Sequence, residues 1–121
     1  MEVYIMKSHV DGQFIREVEK AFNREYPFLR IEFAKNGAGS SADTGYEGAD
    51  GDILRSRAKQ LLQNEIGLND GMKVSELETA LQSVIACPVQ VFRKSSNSWI
   101  ETKMTRDWTL KQQNDHGREL I

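Results

Sequence analysis

A chain of 121 residues with 16 basic and 18 acidic side chains is one domain-sized unit, and its net charge of −2 and pI near 5.7 argue against a nucleic-acid binder held by overall charge. With 39% apolar residues, a mean hydropathy of −0.56 and no run near the roughly 20 apolar residues of a membrane span, the composition also argues against a membrane protein. The single cysteine, Cys87, excludes an intrachain disulfide, and its place beside Pro88 at the end of an apolar stripe predicts a buried thiol acting as a small hydrophobe.

Val3, Ile5 and the residues between them predict a first strand ending near Ser8. Glu2 and the short apolar run are unlike a secretory signal, so the expectation is a soluble cytoplasmic protein. After a turn over residues 9–12, Asp11 predicts a helix N-cap. Phe14, Ile15, Val18, Ala21, Phe22 and Tyr26 then recur as one apolar stripe, leaving Arg16, Glu17, Glu19, Lys20 and Arg24 for solvent. Pro27 closes that helix, and Leu29, Ile31 and Phe33 alternate with Arg30 and Glu32 as a half-buried strand.

Residues 36–51 are rich in Gly, Ser and Ala and predict a flexible insertion. Asp52 then caps a short helix with Ile53, Leu54, Ala58, Leu61 and Leu62 along one side. Residues 65–69 predict a strand, on the strength of a repeat rather than of propensity, since Gly67 lies inside it. Ser75-Glu76-Leu77-Glu78 has the form of a capping box, and Val74, Leu77, Ala80, Leu81, Val84 and Ile85 supply the apolar face of the helix it would open. Pro88 marks the exit. Residues 89–94 and 99–104 predict a hairpin with its turn at 95–98. Thr109-Leu110-Lys111-Gln112 forms a second capping box, opening a polar terminal helix that ends near Gly117.

The repeat sets Asp11-Gly12 and the helix to Phe22 against Asp70-Gly71 and the helix to Leu81, 59 residues on; Phe33 and Lys35 likewise fall on Phe92 and Lys94. Two strand–helix–strand halves, 1–35 and 62–105, predict an α+β fold of the ferredoxin-like kind. In it a duplicated βαβ sandwich carries both helices on one face of an antiparallel sheet, with an extra C-terminal strand and a short helix. The alternative is a ubiquitin-like β-grasp in the second half. The two differ in the number of strands before each helix, one for the former and two for the latter.

Gln90-Val91-Phe92-Arg93-Lys94-Ser95, Trp99-Ile100-Glu101-Thr102, Trp108-Thr109-Leu110 and Gln112-Gln113-Asn114 resemble a family of small conserved bacterial proteins of unassigned function. The resemblance covers about a quarter of the chain; in the first half its best stretch is Phe28-Leu29-Arg30-Ile31-Glu32-Phe33. It implies a stand-alone bacterial protein. It implies no activity, cofactor or site residue.

Chemistry-bearing patterns are sparse. Asn36-Gly37-Ala38-Gly39-Ser40-Ser41 follows a strand, but no Lys occurs between residues 36 and 51 to meet a phosphate, so it reads as a linker. Asp43, Glu47, Asp50 and Asp52 lack the spacing of a calcium loop and read as a solvated acidic segment. His9 and His116 have no second ligand or nucleophile at a useful spacing, and Ser40 and Ser41 have no elbow motif. The expectation is a non-enzyme with no catalytic residue, no metal and no cofactor. Arg93, Lys94, Trp99, Lys103, Arg106 and Trp108 surround the hairpin and its exit and form the candidate interaction surface. The first reading is self-association as a homodimer, or binding of a protein partner. Single-stranded nucleic acid on the hairpin is the alternative, since aromatic and basic side chains on a sheet stack bases and hold phosphates, though the acidic balance disfavours it. A small-ligand sensor is a third class, supported by fold analogy alone.

Overall fold

The computed structural model describes residues 12–34 and 51–119. The strand expected over residues 3–8, the Asp11 cap and all of the 36–51 insertion but Gly51 lie outside them. The first apolar stripe forms α1 (Gly12–Glu25), which turns Val18, Ala21 and Phe22 inward. The chain leaves it through Pro27, with the Leu29 amide donating to the Tyr26 carbonyl at 2.9 Å. Strand β1 (Leu29–Phe33) then buries Leu29, Ile31 and Phe33, the alternation that a pleated strand imposes.

Gly51 opens α2 (Gly51–Gln60), which runs on into a π-helical segment over Leu61–Ile66. Leu61 and Ile66, five residues apart, are both buried there, as suits an i→i+5 turn. This corrects the strand expected at 65–69. Ile66 is the end of a helix, and Gly67 caps it in the left-handed region at φ 75°, where the absence of a Cβ removes the strain. The repeat points to a strand there, but as a helix the segment buries Leu61, Leu62 and Ile66 in the core.

Helix α3 (Val74–Ile85) starts earlier than its Ser75 signature indicates. The Lys73 amide donates to the Glu76 carboxylate at 2.9 Å, two residues before the expected Ser75–Glu78 box. The next two amides, of Val74 and Ser75, donate to the carbonyls of Trp108 and Arg106, both at 3.0 Å. Strands β2 (Val89–Ser95) and β3 (Ser98–Glu101) form the hairpin around Ser96 and Asn97. Ser96 takes φ 55°, a region that two-residue hairpin turns use. Strand β3 stops at Glu101, short of the expected Met104, because Lys103–Thr105 coils into a 3₁₀ turn. Helix α4 (Leu110–Glu119) carries the expected box: the Thr109 amide donates to Gln112 at 2.8 Å, and the Gln112 amide donates to the Thr109 hydroxyl at 3.1 Å.

The fold is α+β, with a three-stranded antiparallel sheet in the order β1-β2-β3. The duplicated sandwich is not the arrangement of the described residues. In a ferredoxin-like sheet the closing strands of the two units occupy opposite edges, whereas β1 and β2 here pair directly, Ile31 opposite Val91. Nor does a strand pair precede α3 within residues 51–73, as a β-grasp requires; that stretch holds α2 and the π turn. One core joins Val18 and Phe22 of α1, Leu29 and Ile31 of β1, Leu62 of the π segment, Leu77 and Leu81 of α3, Val91 of β2 and Leu110 of α4. Burying side chains such as Phe22, Leu77 and Leu81 contributes about 1.5–3 kcal/mol each. No helix among the described residues is long and apolar enough to cross a membrane.

Candidate functional site

Pleating divides the sheet side chains between two faces. Leu29, Ile31, Phe33, Val89 and Val91 face the core with Arg93 beyond them; Arg30, Glu32, Gln90, Phe92, Lys94, Trp99 and Glu101 share the opposite, outer face. This parity separates the six residues expected to act together.

Lys94 and Trp99 are direct cross-strand partners on the outer face. The Lys94 ammonium lies 5.4 Å from the Trp99 ring centre, and the Arg30 guanidinium, reaching across from β1, lies 5.3 Å from it. Arg30 also pairs with Glu32. Arg30 is a member of this cluster that sequence reasoning missed. It lies 69 positions before Trp99, and only the β1–β2 register brings the two together. Lys103 is exposed and lies 3.7 Å from Glu101.

Arg93, Arg106 and Trp108 do different work. Arg93 points to the core side and donates from Nη1 to Gln113 Oε1 at 2.8 Å, with its guanidinium 5.8 Å from the Trp108 ring centre. Burial pulls its pKa below the ordinary guanidinium value. Its Nε is buried with no hydrogen-bond partner among the described residues. His116 meets the Trp108 ring edge-on at 5.5 Å between centres. Arg106 donates from Nε to the nearly buried Glu78 at 3.3 Å, and the other Glu78 oxygen accepts the Val91 amide at 3.1 Å. That amide looks past the end of β3, so Glu78 supplies the acceptor that the short strand does not. These three residues fasten helices to the sheet.

Gln113, Asn114 and Thr102 have the same structural part. Gln113 is fully buried and donates to the Thr105 carbonyl at 2.9 Å and hydroxyl at 2.7 Å while accepting from Arg93. Asn114 accepts the Phe28 amide at 2.9 Å. Thr102 closes the hairpin, its hydroxyl donating to the Val91 carbonyl at 2.8 Å.

Three large apolar side chains are exposed among the described residues: Ile53 on α2, Ile100 on the face of β3 opposite Trp99, and Met104. Met104 is 96% exposed and Ile100 is 37% exposed, both within five residues of Trp99. Cys87 is half-buried rather than buried. Its thiol donates to the Ala34 carbonyl at 3.3 Å, and burial pushes its pKa up, which keeps it protonated and poorly nucleophilic. Asp52 binds Arg55 at 2.8 Å; Asp43, Glu47, Asp50 and His9 lie outside the described residues. No family model, curated protein or solved structure matches the chain.

Proposed function

We propose that the chain is a non-enzymatic interaction module that pairs with a second copy of itself through the outer face of the β2–β3 hairpin and the edge of β3 that no described strand covers. The observation that carries this reading is the charge pattern of that face. Arg30 and Lys94 flank Trp99, while Glu32 and Glu101 lie on the same surface. A two-fold contact sets one patch against itself, so a patch that holds both signs beside a large aromatic ring is self-complementary. Single-stranded nucleic acid finds less support. Two cations already lie against the ring on which a base would stack, and the two carboxylates weaken the field that phosphates need.

Size-exclusion chromatography with light scattering, run across a concentration series, tests the proposal. A mass rising to twice that of the chain is expected, returning to that of the monomer in Trp99→Ala. A strict monomer at high concentration overturns it. Binding of an oligonucleotide at low salt, lost in the same variant, supports the alternative instead.

A further inference from the structure

Helices α1 and α2 flank a cleft of about 270 Å³. Ala21, Arg24 and Glu25 line it from α1, at the spacing of one helix face. Arg55, Lys59, Leu62 and Gln63 line it from α2 and the π turn, again on one face. Leu68 closes the floor. The left-handed Gly67 turns the chain back, and the Leu68 amide donates to the Leu62 carbonyl at 2.9 Å, which fixes both leucines as one apolar base.

The rim is cationic in a chain whose net charge is negative. Arg24, Arg55 and Lys59 converge on it against Glu25 alone. Arg55 is neutralised in place by Asp52 at 2.8 Å and Glu17 at 4.0 Å. Arg24 and Lys59 have no ion pair with another described residue, and Lys59 stands one turn from Arg55, a like-charge spacing that a helix does not favour by itself. The π-helical segment supplies Leu62 and Gln63 to the lining, and π turns recur at functional sites.

We propose that this cleft binds a small organic anion. Its carboxylate or phosphate head lies between Arg24 and Lys59, and its apolar body lies on Ala21, Leu62 and Leu68. The volume is just below the range of drug-sized pockets, so the ligand is of metabolite size. The arginine and lysine donors suit either head group. This inference is independent of the hairpin reading, because none of its residues lies on the outer sheet face.

The test is a titration of the full ¹⁵N-labelled chain with hexanoate, hexyl phosphate and hexan-1-ol, read by amide chemical shifts. Saturable shifts confined to the amides of Ala21, Arg24, Lys59, Leu62, Gln63 and Leu68 are expected with at least one anion, at a Kd of about 1 mM or tighter. Whichever anion binds tighter names the head group. The alcohol is expected to leave those amides unmoved. Arg24→Gln/Lys59→Gln, both at exposed positions, is expected to weaken the anion at least about tenfold while the rest of the spectrum stays in place. Absent or diffuse shifts, equal binding of the alcohol, or an unchanged Kd in the double variant would each overturn the proposal.

Discussion

In α1–β1, Glu19 accepts the amide of Phe33 at 3.4 Å; in α3–β2, Glu78 accepts the amide of Val91 at 3.1 Å. The two glutamates are 59 residues apart, and so are the buried helix positions Val18 and Phe22 from Leu77 and Leu81. The strands do not keep that spacing. At 59 residues Ile31 would fall on Gln90, yet the core position opposite Ile31 is Val91, and a one-residue slip turns every strand side chain to the other face. The clamps register the same slip, since Glu19 reaches 14 residues ahead and Glu78 reaches 13. Helices can therefore follow a shared pattern while the strands behind them are set by direct pairing with each other. The outer edges differ too. On β1, Asn23 donates to the Leu29 carbonyl at 2.7 Å and, with Glu19, blunts the edge with side chains. The edge of β2 is instead extended by β3.

The largest test of this comparison truncates the matched core positions. Phe22→Ala and Leu81→Ala, both at fully buried sites, are expected to cost about 3–5 and about 2–5 kcal/mol in urea unfolding. A cost below about 1 kcal/mol at either site would remove that helix from the shared core.

The clamps are expected to separate next. Glu78→Ala leaves the buried Val91 amide without its acceptor and removes the ion pair of the exposed Arg106, and is expected to cost about 1–3 kcal/mol. Glu19→Ala acts on a longer bond at a half-buried site and is expected to cost less. Equal losses would show that the two clamps are equivalent despite their different burial.

Tyr26 sharpens the contrast further, because its counterpart 59 residues on is Ile85. Burial first, and then its hydrogen bond to Asp70 at 2.8 Å, raise the hydroxyl pKa well above the ordinary value of 10. An acid with a raised folded pKa contributes stability that is complete below the unfolded pKa and is lost as pH climbs past it. Stability is thus expected to fall from about pH 10 upward, and Tyr26→Phe is expected to flatten that fall at a cost of about 0.5–1.5 kcal/mol at neutral pH. Denaturant midpoints measured at neutral and alkaline pH check both.

The smallest effect concerns the helix ends. Helix α3 stops with Ala86 in the left-handed region at φ 64°, whereas α1 leaves through Pro27. Ala86→Gly is expected to stabilise by up to about 1 kcal/mol, read as a higher Tm. A lower Tm would mean that Ala86 gains more from packing than it loses to strain.

Local signals were the legible part. The stripes of α1 and α3, the Thr109–Gln112 box and the short polar turn of the hairpin are all decided within a few residues, and sequence reasoning located them. The misreadings came where distant groups decide. Glu78 looks like the closing member of a capping box, but the amide of Val91 claims it, and Glu76 caps the helix instead. The repeat points to a strand at residues 65–69, where the buried pair Leu61 and Ile66 belongs to the end of a helix. The candidate surface divided in two because Trp108 looks like Trp99 in sequence, while the outer face holds only the latter together with Arg30.

The docking of α4 has a dynamic consequence. The helix buries only Leu110, Gln113 and Gly117, and its grip on the sheet is mainly polar, through Asn114 to Phe28 and Gln113 to Arg93. A Cβ on Gly117 would sit 3.0 Å from that of Phe28, so the seat has no slack. An element held by few apolar contacts detaches below the global unfolding threshold. Amide protons of α4 should therefore exchange with solvent earlier than those of α1 or α3, and each such opening briefly uncovers Arg93 while leaving the rest of the interior shut.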